Sequence, residues 1–98
     1  MSESTAGREN KLARILMAAF RELEFTVEHR EMSTLHVEEL EGIQGRCVVL
    51  RHPKVVSNDV HLLVASISVV GGRPRLAYCL PTYRLGVERV IALAEERL

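Results

Sequence analysis

The sequence predicts one α+β domain: an antiparallel sheet of about five strands with an N-terminal and a C-terminal amphipathic helix packed on one face. Three observations predict it. Apolar residues recur at helical spacing only towards the two ends of the chain, the stretch between them alternates with a period of two, and Gly71-Gly72 interrupts the longest apolar, β-branched run. The length of 98 residues leaves room for one core, so 1–98 is read as a single domain, with 1–6 expected to be disordered.

The first helix is expected over 8–23, where Leu12, Ile15, Leu16, Ala19, Phe20 and Leu23 follow the spacing of one helical face. Ser4 and Thr5 offer hydroxyls for its free N–H groups. Near Glu24 the period changes: Phe25, Val27 and His29 alternate with Thr26, Glu28 and Arg30, the pattern of a strand with one wet face. Residues 33–39 alternate similarly, Leu35 and Val37 against Thr34, His36 and Glu38, although a helical turn capped by Thr34 also suits them. Gly42 and Gly45 bracket a turn, and the CVVL run in 46–51 reads as a buried strand ended by His52-Pro53. The following KVVSND reads as a connection or a single helical turn.

A β-hairpin is expected over 60–80, with Gly71-Gly72 as a two-residue primed turn. In that register Ile67 faces Leu76, Ala65 faces Tyr78 and Leu63 faces Leu80, which makes a core face. The other face pairs Ser68 with Arg75, Ser66 with Ala77 and Val64 with Cys79. After Pro81-Thr82, where Thr82 or the preceding turn is expected to supply the cap, Tyr83, Val87, Val90, Ile91, Ala94 and Leu98 predict a last helix. Gly86 inside it costs about 1 kcal/mol relative to Ala.

Composition narrows the function. Thirteen Lys and Arg balance thirteen Asp and Glu without like-charge blocks, which argues against a nucleic-acid or membrane partner. Arg46, Arg51, Lys54, Arg73, Arg75 and Arg84 would need exposed aromatics beside them to bind bases, and the chain has only two Tyr, two Phe and no Trp. The Arg-over-Lys skew suits a GC-rich bacterial genome. The N-terminus lacks a charged, apolar leader pattern and no apolar stretch approaches the roughly 18 residues of a membrane span, so a cytoplasmic protein is expected. Cys47 and Cys79 stand outside any CxxC pattern and are read as reduced core residues.

No catalytic residue, metal ligand or cofactor is expected. His29, His36, His52 and His61 lack metal-ligand spacing, and Gly71-Gly72 lacks the phosphate-loop pattern. Glu28, Glu31, Glu38, Glu39 and Glu41 read as solvated strand and turn residues, because no pocket signal accompanies them. Two helices cover one sheet face, so the small-residue face with Val64, Ser66, Ser68, Arg75, Ala77 and Cys79 is expected to associate with another subunit. The leading expectation is therefore a non-enzymatic interaction or ligand-binding protein acting as a homodimer. The alternative is a small-molecule binder or enzyme whose pocket lies between sheet and helices, with Tyr78, Tyr83 and His61 as candidates.

The order helix, three strands, short connection, hairpin, helix resembles that of dimeric type III secretion chaperones. The resemblance implies a homodimeric adaptor that binds another protein; members are typically acidic, whereas this chain is neutral.

Overall fold

The computed structural model of the protein describes residues 5–32 and 45–98. Helix α1 (Thr5–Glu22) is followed by β1 (Thr26–Met32), β2 (Gly45–Ser57), β3 (Val60–Ser68), β4 (Arg75–Cys79) and α2 (Arg84–Glu96). The strands form one sheet in the order β1-β2-β3-β4, antiparallel throughout. The α+β class is as predicted, with four strands among the described residues rather than five. The expected strand at 33–39 lies outside those residues. Residues 54–57 of the KVVSND segment extend β2 instead of forming a connection, and its Asn58-Asp59 pair is the turn, with φ angles of 50° and 63° that make the primed turn suited to the strand twist.

Helix α1 begins at Thr5, earlier than expected, and buries Leu12, Ala13, Leu16 and Phe20. It stops in a Schellman motif. The Phe25 N–H donates to Phe20 O (3.1 Å), the Glu24 N–H donates to Arg21 O (3.0 Å), and Glu24 takes the left-handed conformation at φ 68°. The motif's characteristic apolar contact is present: the Phe20 and Phe25 rings meet edge to face, 5.6 Å apart. Leu23 is released from the helical face and is 52% exposed.

The helices do not lie side by side on the sheet. Helix α1 runs over β1 and β2, whereas α2 packs against α1 and meets the sheet at β4. The 3-10 turn Pro81–Tyr83 leads directly into α2, and no side chain caps the helix, contrary to the role expected of Thr82. Val87, Ile91 and Ala94 of α2 join the α1 residues, Val48 and Leu50 of β2, and Val64, Ala65 and Ile67 of β3 in one core.

Two bulges alter which side chains face that core. Ser68 pairs with Arg75 and Ile67 with Leu76, as expected, but then Ser66 pairs with Tyr78 and Ala65 with Cys79, leaving Ala77 as an extra residue. On the other edge of β3, Ala65 pairs with Leu50 and Leu63 with Arg51, leaving Val64 extra. Because alternate residues of a strand face opposite sides, each extra residue exchanges the faces beyond it. Val64 and Cys79 therefore join the helix-side core rather than the opposite face. Leu63 packs with Cys47 and Val49 on the opposite face, where Tyr78 also lies beside Ser66.

The Gly71-Gly72 segment also differs from a two-residue turn. Pairing ends at Ser68 and Arg75, and Val70–Gly72 forms a 3-10 turn with both glycines at positive φ. This turn is held by α1: Arg8 Nε donates to Gly72 O (3.2 Å), and the Gly71 N–H donates to Glu9 Oε1 (2.8 Å). A Cβ on Gly72 would strike the Arg8 side chain.

Candidate functional site

Four segments converge on a cavity of about 320 Å³ at the junction of the two helices and the sheet. Phe20 and Leu23 come from the end of α1, Phe25 from the Schellman motif, and His52 from β2. Tyr83, Gly86, Val87 and Val90 line the side formed by the 3-10 turn and α2. Each wall has a local cause. The 6→1 bond of the motif places Phe25 against Phe20, so the helix stop also builds the aromatic side of the cavity.

His52 is placed by the proline after it. Pro53 has no N–H to give to the sheet, and the pairing of β2 with β3 shifts register between Arg51 and Val56. The Lys54 N–H instead donates to His52 Nδ1 (3.1 Å). The imidazole then meets Phe25 edge to face at 5.1 Å and lies 6.5 Å from the Tyr83 ring, tilted by 32°. Phe25 and Tyr83 are also edge to face, 6.1 Å apart. Three rings thus form a corner, with His52 and Tyr83 tilted by 32° from each other and both steeply inclined to Phe25.

Gly86 leaves part of the α2 wall bare. A Cβ there would meet no atom within 4 Å, although the helical backbone at this position accepts any L side chain. Tyr83, Gly86, Val87 and Val90 share the inner side of α2, so the missing side chain contributes to the opening.

Of the residues read from sequence as pocket candidates, Tyr83 alone lines this cavity. His61 is exposed beside the β2–β3 turn, paired with Val56. Tyr78 lines a different concavity, about 440 Å³, with Leu76, Ala77, Cys79, Pro81 and Arg84. Those six residues are drawn from one stretch of chain, so they outline the open edge of β4 rather than enclose a volume; Arg84 pairs there with Glu88 at 3.0 Å.

The residues expected at a subunit interface divide. Val64 and Cys79 are on the helix side, and Ala77 is the extra residue of the bulge. Ser66 and Ser68 are on the opposite face but buried within the single chain, at 0% and 8% exposure, together with Cys47 and Val49. Arg75 alone of this set is well exposed. The Ser66 hydroxyl is fully buried on this face. It lies by the Cys47 thiol, which burial pushes up in pKa and the hydroxyl partly restrains. Burial likewise raises the Cys79 thiol, with Arg84 opposing and Glu88 reinforcing the shift. Both cysteines are free.

His29, His36 and the Glu28–Glu41 group have side chains outside the described region. Among the described residues, no three His, Cys, Asp or Glu side chains gather as a metal site, and no helix is long and apolar enough to cross a membrane. Comparison with protein-family models, with curated proteins and with solved structures finds no match for this chain.

Proposed function

We propose that this is a small-molecule-binding protein whose ligand sits in the Phe25–His52–Tyr83 cavity. The observation that supports it is the convergence of three rings from separate segments on an open volume, beside a helical glycine that leaves space unfilled. A chain with two Phe and two Tyr commits three of these four rings to one cavity. Small-ligand sites are mostly apolar concavities with a few polar groups, and His52, Thr82 and Tyr83 provide such groups here.

The test uses N-phenylnaphthylamine, a neutral dye that brightens on leaving water. The wild-type protein should enhance its fluorescence saturably. Gly86→Leu fills the bare wall and should abolish that enhancement while the helical circular dichroism is retained; equal dye binding by a folded Gly86→Leu variant would refute the site.

A second reading, a homo-oligomeric interaction protein, is favoured by the outer end of the β2–β3 hairpin. Val60 and Leu62 share one face there and are 60% and 40% exposed, beyond the reach of the helices, while Val56, which pairs with His61 on the other face, is 44% exposed. Association through this end, rather than through the buried Ser66 face, predicts a dimer in light scattering that becomes monomeric on Leu62→Glu. A wild-type monomer at all concentrations would remove this reading.

A further inference from the structure

We propose that the cavity selects a neutral, planar ring that bears a hydrogen-bond acceptor and an apolar tail. The proposal rests on the cavity being the binding site and specifies what enters it. Neutrality follows from the walls: among the described residues, no Asp, Glu, Lys or Arg lines the cavity. A charged ligand would lose its hydration there without gaining a counter-charge. Planarity follows from the rings. His52 and Tyr83, inclined to each other by 32°, leave a flat guest able to stack along them and to meet Phe25 edge to face.

The acceptor follows from the histidine. A neutral imidazole has one donor and one acceptor nitrogen, and His52 Nδ1 is already accepting from Lys54. The ring proton is therefore on Nε2, the nitrogen that remains for a ligand, and a carbonyl or ring nitrogen is its complement. Protonation of the other nitrogen would sacrifice the Lys54 bond.

The tail follows from continuity with a neighbouring cleft. Leu23 and Val90 line both the cavity and a groove of about 190 Å³ between α1 and α2, whose walls include Ile15, Ala19 and Leu93. Leu23 and Leu93 are 52% and 57% exposed, so a chain laid between them would withdraw apolar surface that the fold leaves in water. Arg97 borders this groove one turn beyond Leu93 and gives the end away from the cavity a polar limit, while Glu22 lies beside Leu23 at the end nearer the cavity.

Para-alkylacetophenones combine these features, and their tails lengthen one methylene at a time. Their affinities, read by displacement of N-phenylnaphthylamine, should rise roughly fourfold per methylene while the tail stays within the groove, the value for full burial of a CH₂. Para-alkylbenzoates of equal length should bind at least about tenfold more weakly, because a carboxylate has no cation to meet. His52→Phe, which keeps a ring but removes the donor, should erase the preference for the ketone over the matching alkylbenzene. Leu93→Glu should flatten the dependence on tail length.

Equal binding of benzoates and ketones would overturn the neutral ligand, and affinities independent of tail length would overturn the groove. In both cases, sensitivity to Gly86→Leu would leave the site itself standing. Ketone binding that ignores Gly86→Leu would place these molecules elsewhere and overturn the site together with the proposal.

Discussion

Glu24 occupies a conformation that costs an L residue with a Cβ roughly 1 kcal/mol, and it does so because the Schellman motif requires a left-handed residue where α1 ends. Its side chain is exposed, so no packing compensates. Glu24→Gly should raise stability by about 1 kcal/mol in urea titration, with the cavity unaltered. The opposite sign is expected at Gly72, where φ is 73° and Arg8 occupies the place of a Cβ. Gly72→Ala should cost more than about 1 kcal/mol, whereas Gly71→Asn, with no atom near its Cβ and a residue type that tolerates the left-handed region, should be almost neutral. The two thiols add a dependence on pH. Burial raises both in the folded state, so below the ordinary thiol range both states hold the proton and nothing changes. As the solution becomes alkaline the unfolded chain releases its protons first, and stability should fall. Urea midpoints compared between neutral and alkaline pH, for the wild type and Cys47→Ala, measure the share of Cys47.

Helix α2 shows how a local defect and an opening coincide. Gly86 lies within the helix, where Gly is less favourable than Ala by about 1 kcal/mol, and its Cβ position is vacant. Gly86→Ala should therefore stabilise the protein by up to about that amount in thermal unfolding while narrowing the cavity, which sets stability against the proposed binding. Both helices were legible in the sequence because Leu12, Leu16 and Phe20, and likewise Val87, Ile91 and Ala94, repeat at the spacing of one turn. The hairpin was legible as far as Ile67–Leu76 and then misread. A bulge adds one residue without a side-chain signature, and past it the alternation assigns Tyr78 and Cys79 to the wrong faces. The site was less legible than the fold. Tyr83 was found through its position before α2, but His52-Pro53 read as the end of a strand, when the pairing resumes at Val56 and the interruption is what aims the imidazole. Phe25 read as an ordinary strand residue because nothing short of the cap geometry shows that it turns towards Phe20. Pro53 inside a β-branched stretch was the available signal.

Across the molecule, one core joins both helices to the central strands, while the opposite face closes over Cys47, Val49 and Ser66. Ser66→Arg would bring a charge onto this closed face. An arginine there would have to enter a buried site, so general unfolding is expected rather than loss of assembly alone. Association, if measured, has to be sought at Val60 and Leu62.

The grip of Arg8 and Glu9 on the Gly71-Gly72 turn spans separations of 64 and 62 residues along the chain. Local helical turns close on sub-microsecond timescales, but this grip must await a long excursion of the backbone and the formation of the turn itself. The first half of α1 should therefore be anchored late in folding, and in the folded protein the grip ties Arg8 and Glu9 to the Gly71-Gly72 turn. Substitutions of Arg8 should mainly accelerate unfolding and leave the refolding rate nearly unchanged. With that outcome the turn would act as a latch on the finished protein, setting how long it stays folded more than how quickly it gets there.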